Sequence, residues 1–125
     1  MEFKMTEHGI QTDTGFGALD ISADEEKGFR PYQLMVASLA GCSVSVMRKI
    51  LKKKRLEVED IQVTAEVTRN PDKADRIEKV HLHFRIKGKG LEDKMDKIME
   101  LTTKNCSMVQ SVIGSIEVTE TYELV

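Results

Sequence analysis

The sequence predicts an α+β fold, a long buried central helix wrapped by antiparallel sheets, and three observations predict it. Every residue from Leu34 to Met47 is apolar, Gly or Ser, which is the pattern of a helix without a wet face. Apolar residues alternate with polar ones at Ile61, Val63, Ala65 and Val67, at Val80, Leu82, Phe84 and Ile86, and again between Ile116 and Leu124. That period of two marks strands with one buried face. The order of strands, long helix, strands, helix and strand makes an α+β arrangement, and 125 residues suit one domain over 1–125.

In residues 1–28, Gly9, Gly15 and Gly17 punctuate short runs such as Glu2-Phe3-Lys4-Met5 and Phe16-Gly17-Ala18-Leu19-Asp20-Ile21, predicting two or three N-terminal strands. The central helix is predicted over 29–55, with Pro31 suited to its first turn. Its basic end, Arg48 to Arg55, complements the negative pole of the helix dipole and reads as a solvated helix end. A strand hairpin follows over 56–88 with turn chemistry at Asn70-Pro71-Asp72, closed by Gly88 and Gly90.

Leu91, Met95, Ile98 and Thr102 then recur at helical spacing in a second helical region, 91–113, which Asn105-Cys106-Ser107 interrupts and Gly114 ends. Ile116, Val118, Tyr122 and Leu124 alternate with Glu117, Thr119, Thr121 and Glu123 in a final strand over 115–125. One small chain cannot cover a helix that is apolar all round, so an intertwined homodimer is expected.

Charge and composition narrow the functional classes. With 19 basic against 21 acidic residues and a net charge of −2, the chain lacks the basic surface that nucleic acid or an anionic membrane needs, so neither is an expected partner. No run reaches the roughly 18 consecutive apolar residues of a membrane span, and the opening residues lack a signal-peptide core. A cytoplasmic protein is expected. No Gly-rich phosphate loop, Gly-x-Ser-x-Gly elbow or paired Cys-x-x-Cys is present, and His81 and His83 read as residues of a polar sheet face, so neither cofactor nor metal is expected. The methionines at 35, 47, 95, 99 and 108 suit either a ligand cavity or ordinary core packing.

The two cysteines are too few for a disulfide framework. Cys42, in Ala40-Gly41-Cys42-Ser43, has small neighbours that permit close approach, although a thiol in an apolar helix also packs well as a small hydrophobe. Cys106 stands at an apparent helix N-terminus, where the dipole favours thiolate. If the two helices pack together, one thiol can be oxidised to a sulfenic acid and the other can condense with it to a disulfide.

Pro31-Tyr32-Gln33-Leu34 followed by Ala37-Ser38-Leu39-Ala40-Gly41-Cys42, together with Lys104-Asn105-Cys106-Ser107, resembles the OsmC/Ohr superfamily, and the Thr121-Tyr122-Glu123-Leu124-Val125 ending is most similar to its YhfA-like branch. The resemblance implies an OsmC-like fold and an intertwined homodimer with reactive cysteines on the long helices at the subunit interface. It implies that Cys42 is the peroxidatic and Cys106 the resolving thiol of a peroxiredoxin-like, thiol-dependent peroxidase, reducing organic hydroperoxide and restored by a dithiol.

The sequence departs from the family pattern where a Glu is usual after the Pro, since Tyr32 stands there, and no Arg precedes Arg30. Arg30 and Tyr32 are therefore the candidate substrate-binding residues, with Arg30 or Lys104 as the source of the cation. Without the carboxylate–Arg pair the Cys42 thiol is expected to be raised by its apolar surroundings, giving low activity. The alternative is a non-peroxidase dimer that binds a small apolar or thiol-reactive ligand near Cys42.

Overall fold

Six strands and three helices account for the secondary structure of the computed structural model, which describes residues 1–125, apart from one short 3₁₀ turn. Two compact units divide the chain, Met1–Ala37 and Ser38–Val125.

The first unit holds β1 (Phe3–Met5), β2 (Ile10–Asp13) and β3 (Ala18–Ile21) in an antiparallel meander, so the N-terminal strands number three. Its turns close through the Thr6 N–H to the Gly9 carbonyl at 2.9 Å and the Thr14 N–H to the Gly17 carbonyl at 2.8 Å. Gly9 is required by close approach, because a Cβ there would lie 2.0 Å from the Ile21 carbonyl oxygen. The loop after β3 folds back on it, the Phe29 N–H donating to the Asp20 carbonyl at 2.8 Å.

Helix α1 (Pro31–Lys53) begins at the predicted proline and ends in Lys52 and Lys53. Its residues Leu39, Ser43, Met47 and Leu51, spaced by four, form a buried ridge. As expected of one small chain, the helix is not covered on all sides: Gly41 and Ser45 are exposed, and Met35 is 44% exposed. One sheet and two short helices cover one face of a helix, not its circumference. By length and composition α1 is also apolar enough to cross a membrane, a measure that core helices of soluble proteins pass equally.

In the second unit β4 (Val58–Asn70), β5 (Arg76–Gly88) and β6 (Glu117–Leu124) form one sheet in that order. The β4–β5 hairpin turns at Pro71–Lys73, where Asn70 Oδ1 accepts the Asp72 N–H at 3.0 Å. Register pairs Val63 with Phe84, Ala65 with Leu82 and Val67 with Val80, which puts both apolar sets on one face, as their period predicts. The core lies there, with Val80, Leu82, Phe84 and Ile86 fully buried beside Leu91, Met95 and Ile98.

The opposite face is polar: the His81 ring nitrogens lie 2.6 and 2.9 Å from the hydroxyls of Thr119 and Thr121, and Arg85 donates to Glu123 at 3.0 Å. One pairing departs from the expected antiparallel sheets, because β6 runs parallel to β5. The connection between them carries α2 (Met95–Asn105) and α3 (Ser107–Val112), long enough to return the chain to the starting end of β5.

Candidate active site

A break in a helix makes the site. Cys106 separates α2 from α3 with extended backbone, φ −81° and ψ 107°, so the amides that follow it are not used within α2. Met95, Ile98 and Thr102 are buried at helical spacing and seat α2, which carries the Cys106 side chain into the interior with no exposure; the helix starts at Met95 and not at the expected Leu91, which is buried in the turn before it. Cys42, on α1, is half-buried.

The packing brings the two sulfurs near enough for each to shift the proton affinity of the other. Ser107 Oγ lies 3.7 Å from Cys42 Sγ, and Ser43 Oγ lies 3.6 Å from Cys106 Sγ.

The electrostatics of the pair reverse the acidities read from sequence. The Met108 backbone N–H holds the Cys42 thiol below the ordinary value of 9.0; burial opposes it, while the Cys106 thiol, the Ser107 hydroxyl and the Ser107 N–H add to it. The expectation of a raised Cys42 thiol is thus corrected. Fixed amide dipoles do here what a cation would do elsewhere.

Cys106 is corrected in the opposite sense. Burial pushes its thiol up, and the neighbouring Cys42 sulfur raises it further. The Met108 and Ser107 amides of the first turn of α3 serve the sulfur across the gap, while the Val109 amide serves Cys106 itself and does not offset its burial. The first proton to leave the pair therefore leaves Cys42, and Cys106 donates to the resulting thiolate.

In a Cys106→Ser background, where the serine can still donate to Cys42, the alkylation rate of Cys42 by iodoacetamide is expected to reach half its plateau below pH 9.0. An inflection at or above the ordinary thiol value contradicts the amide contacts.

Arg30 and Tyr32 belong to the first unit. The Arg30 guanidinium carbon sits 4.8 Å over the centre of the Tyr32 ring, so a cation–π contact orients it where the family pattern has a carboxylate. Of the five methionines that suited a cavity, Met47 and Met95 are fully buried and Met99 is 8% exposed, which makes them core packing, while Met35 and Met108 are exposed.

Sequence reasoning missed Ser43 and Glu120. Glu120 pairs in register with Leu82 and shares a strand face with Val118 and Tyr122, toward the core. Its Oε1 accepts from Ser43 Oγ at 3.0 Å and its Oε2 from Thr103 Oγ1 at 2.9 Å. The signal was available: in the last strand's alternation Glu120 occupies an apolar position.

Comparison with known proteins gives the family and the fold. The family described as OsmC-like protein matches residues 24–121. Organic hydroperoxide resistance protein OhrA of Bacillus subtilis is 30% identical over 95 residues, covering 75% of this chain and 67% of that protein. Protein YhfA of Escherichia coli is 26% identical over 102 residues, covering 80% of this chain and 76% of that one. A crystal structure of an OsmC-like protein from Mycoplasma pneumoniae superposes with a TM-score of 0.87 over 99% of this chain and 94% of the other, at 16% identity.

Proposed function

Because the chain belongs to the OsmC-like protein family, within the OsmC/Ohr superfamily, we propose that it is a cysteine-dependent redox protein that reduces organic hydroperoxides through Cys42 and Cys106. The observation that carries this reading is the contact between two thiols of opposite tendency, one lowered by backbone amides and one raised by burial.

The Cys42 thiolate attacks the peroxide: an S–O bond forms, the O–O bond breaks, and the alkoxide leaves and takes up a proton as the alcohol. Cys42 is then a sulfenic acid. The Cys106 sulfur attacks it, forming S–S and releasing the oxygen as water. Two exchanges with a dithiol return both thiols and leave the dithiol oxidised. The name of the Bacillus relative, an organic hydroperoxide resistance protein, supports hydroperoxide as the substrate.

Arg30, held on the Tyr32 ring, is the proposed substrate-side cation. A cation–π contact at an exposed site contributes about 0.5–1 kcal/mol, less than the about 1.5–3 kcal/mol of a charge-assisted hydrogen bond. Turnover is accordingly modest.

The test is oxidation by one equivalent of an organic hydroperoxide followed by peptide mapping. An intrachain Cys42–Cys106 disulfide is expected. Free or over-oxidised thiols alone contradict the cycle.

We further propose that the working form is a homodimer. Apolar side chains left in solvent support it: Phe3 is 51% exposed, Phe16 fully so, Phe29 59% and Ile113 63%. Monomers rarely leave so much apolar surface open, and obligate interfaces bury about 2,000 Å² or more. Sedimentation is expected to show a dimer at low micromolar concentration, and a stable folded monomer there rejects it.

A further inference from the structure

Glu120 occupies a position on the core face of β6 where a carboxylate is costly unless its oxygens are satisfied. Both are: Ser43 reaches one at 3.0 Å and Thr103 the other at 2.9 Å. Thr103 Oγ1 also lies 3.2 Å from the Met99 carbonyl, so the carboxylate is held from α1 and α2 at once.

Ser43 is fully buried and its Oγ lies between Glu120 and Cys106, 3.6 Å from the sulfur. One hydroxyl proton cannot serve both neighbours. The Ser43 hydroxyl is in donor geometry toward both neighbours, but the carboxylate is the stronger acceptor and the nearer one and takes the proton, which leaves the Ser43 oxygen to accept from Cys106 when that thiol gives up its proton. The geometry is a chain: Cys106, Ser43, Glu120.

We propose that Glu120, acting through Ser43, is the proton acceptor that activates Cys106 for disulfide closure. This rests on the reading that Cys106 resolves an oxidised Cys42, and it adds the base which that reading lacks. Cys106 is the thiol that burial keeps protonated, and it has to lose its proton as it attacks.

In the closing step Cys42 is a sulfenic acid and no longer a thiolate that holds the Cys106 hydrogen, so the Cys106 proton passes to Ser43 Oγ while the Ser43 proton passes to Glu120 Oε1. The electron pair left on Cys106 forms the S–S bond, and the S–O bond of the Cys42 sulfenic acid breaks. The departing hydroxide takes a proton from solvent and leaves as water; Glu120 then returns its proton to solvent. The titratable groups facing Glu120 are Cys106 at the α2–α3 junction and Asp96 on α2, which lines the same surface hollow and accepts from Tyr122 at 2.9 Å, while α1 presents Ser43.

The experiment needs no hydroperoxide. Cys42 is loaded by dithionitrobenzoate as the thionitrobenzoate mixed disulfide, and attack by Cys106 is followed as release of the second thionitrobenzoate. In the wild type closure is expected to be fast and nearly flat across neutral pH. In Glu120→Gln it is expected to fall about tenfold or more at neutral pH. It should also rise about tenfold per pH unit, because Cys106 must then ionise to solvent.

Ser43→Ala is expected to give the same rate and slope, and the double variant to be no slower than either single one. The pH profile of Cys42 alkylation should be unchanged throughout, which a general loosening of the site would not leave intact. Closure in both variants with the wild-type rate and pH profile overturns the relay. Failure of the peroxidase reading appears separately, as absent hydroperoxide consumption in a protein that still closes its disulfide.

Discussion

Cys42→Ser is expected to remove hydroperoxide consumption, by about a thousandfold or more in steady state, while leaving the fold intact. A thousandfold is about 4 kcal/mol of barrier, the scale on which a nucleophile is lost outright and not merely misaligned. The substitution replaces a sulfur whose thiol is lowered by the Met108 amide with a hydroxyl that stays protonated in the same contacts.

Cys106→Ser should behave differently. A first equivalent of peroxide is still consumed, because Cys42 can still be oxidised, but repeated turnover falls, as the sulfenic acid has no partner thiol and a further equivalent of peroxide takes it to the irreversible sulfinic acid. Steady-state and single-turnover peroxide consumption with a dithiol reductant separates the two. Turnover that survives Cys42→Ser removes the peroxidase reading altogether.

Phe84→Ala is expected to destabilise the protein by about 3–5 kcal/mol, the range for truncating a large buried aromatic. Phe84 has no exposed surface, lies in the central strand β5, and pairs in register with Val63 on β4 and Tyr122 on β6. The cavity would open beneath the sheet that carries Glu120, where β4 and β6 are held by β5 and cannot collapse into the space without breaking register. Urea unfolding at fixed protein concentration measures it, since any oligomer makes the midpoint concentration-dependent. A loss under about 1 kcal/mol means that the sheet face is more plastic than its packing implies.

What the sequence determined by itself was everything carried by local periodicity. The fourteen apolar, Gly or Ser residues from Leu34 to Met47 lie in α1, the alternations of β4 and β5 predict their shared face, and Leu91, Met95, Ile98 and Thr102 predict the buried side of the second helical region. Those patterns are legible because burial repeats with the geometry of the backbone. Cys42 and Cys106 were legible too, as the chain's two thiols.

The tertiary structure alone decided how their protons are divided. Local sequence puts Cys106 at the head of α3, but the amides of Ser107 and Met108 act on the sulfur of another helix, and burial inverts the order that the helix terminus suggests. The same holds for β6: nothing local says that it returns parallel to β5, and only that pairing sets Glu120 opposite Leu82 with Ser43 and Thr103 in reach. A titration depends on distances between groups far apart in the chain, and those distances exist only once the helices have packed.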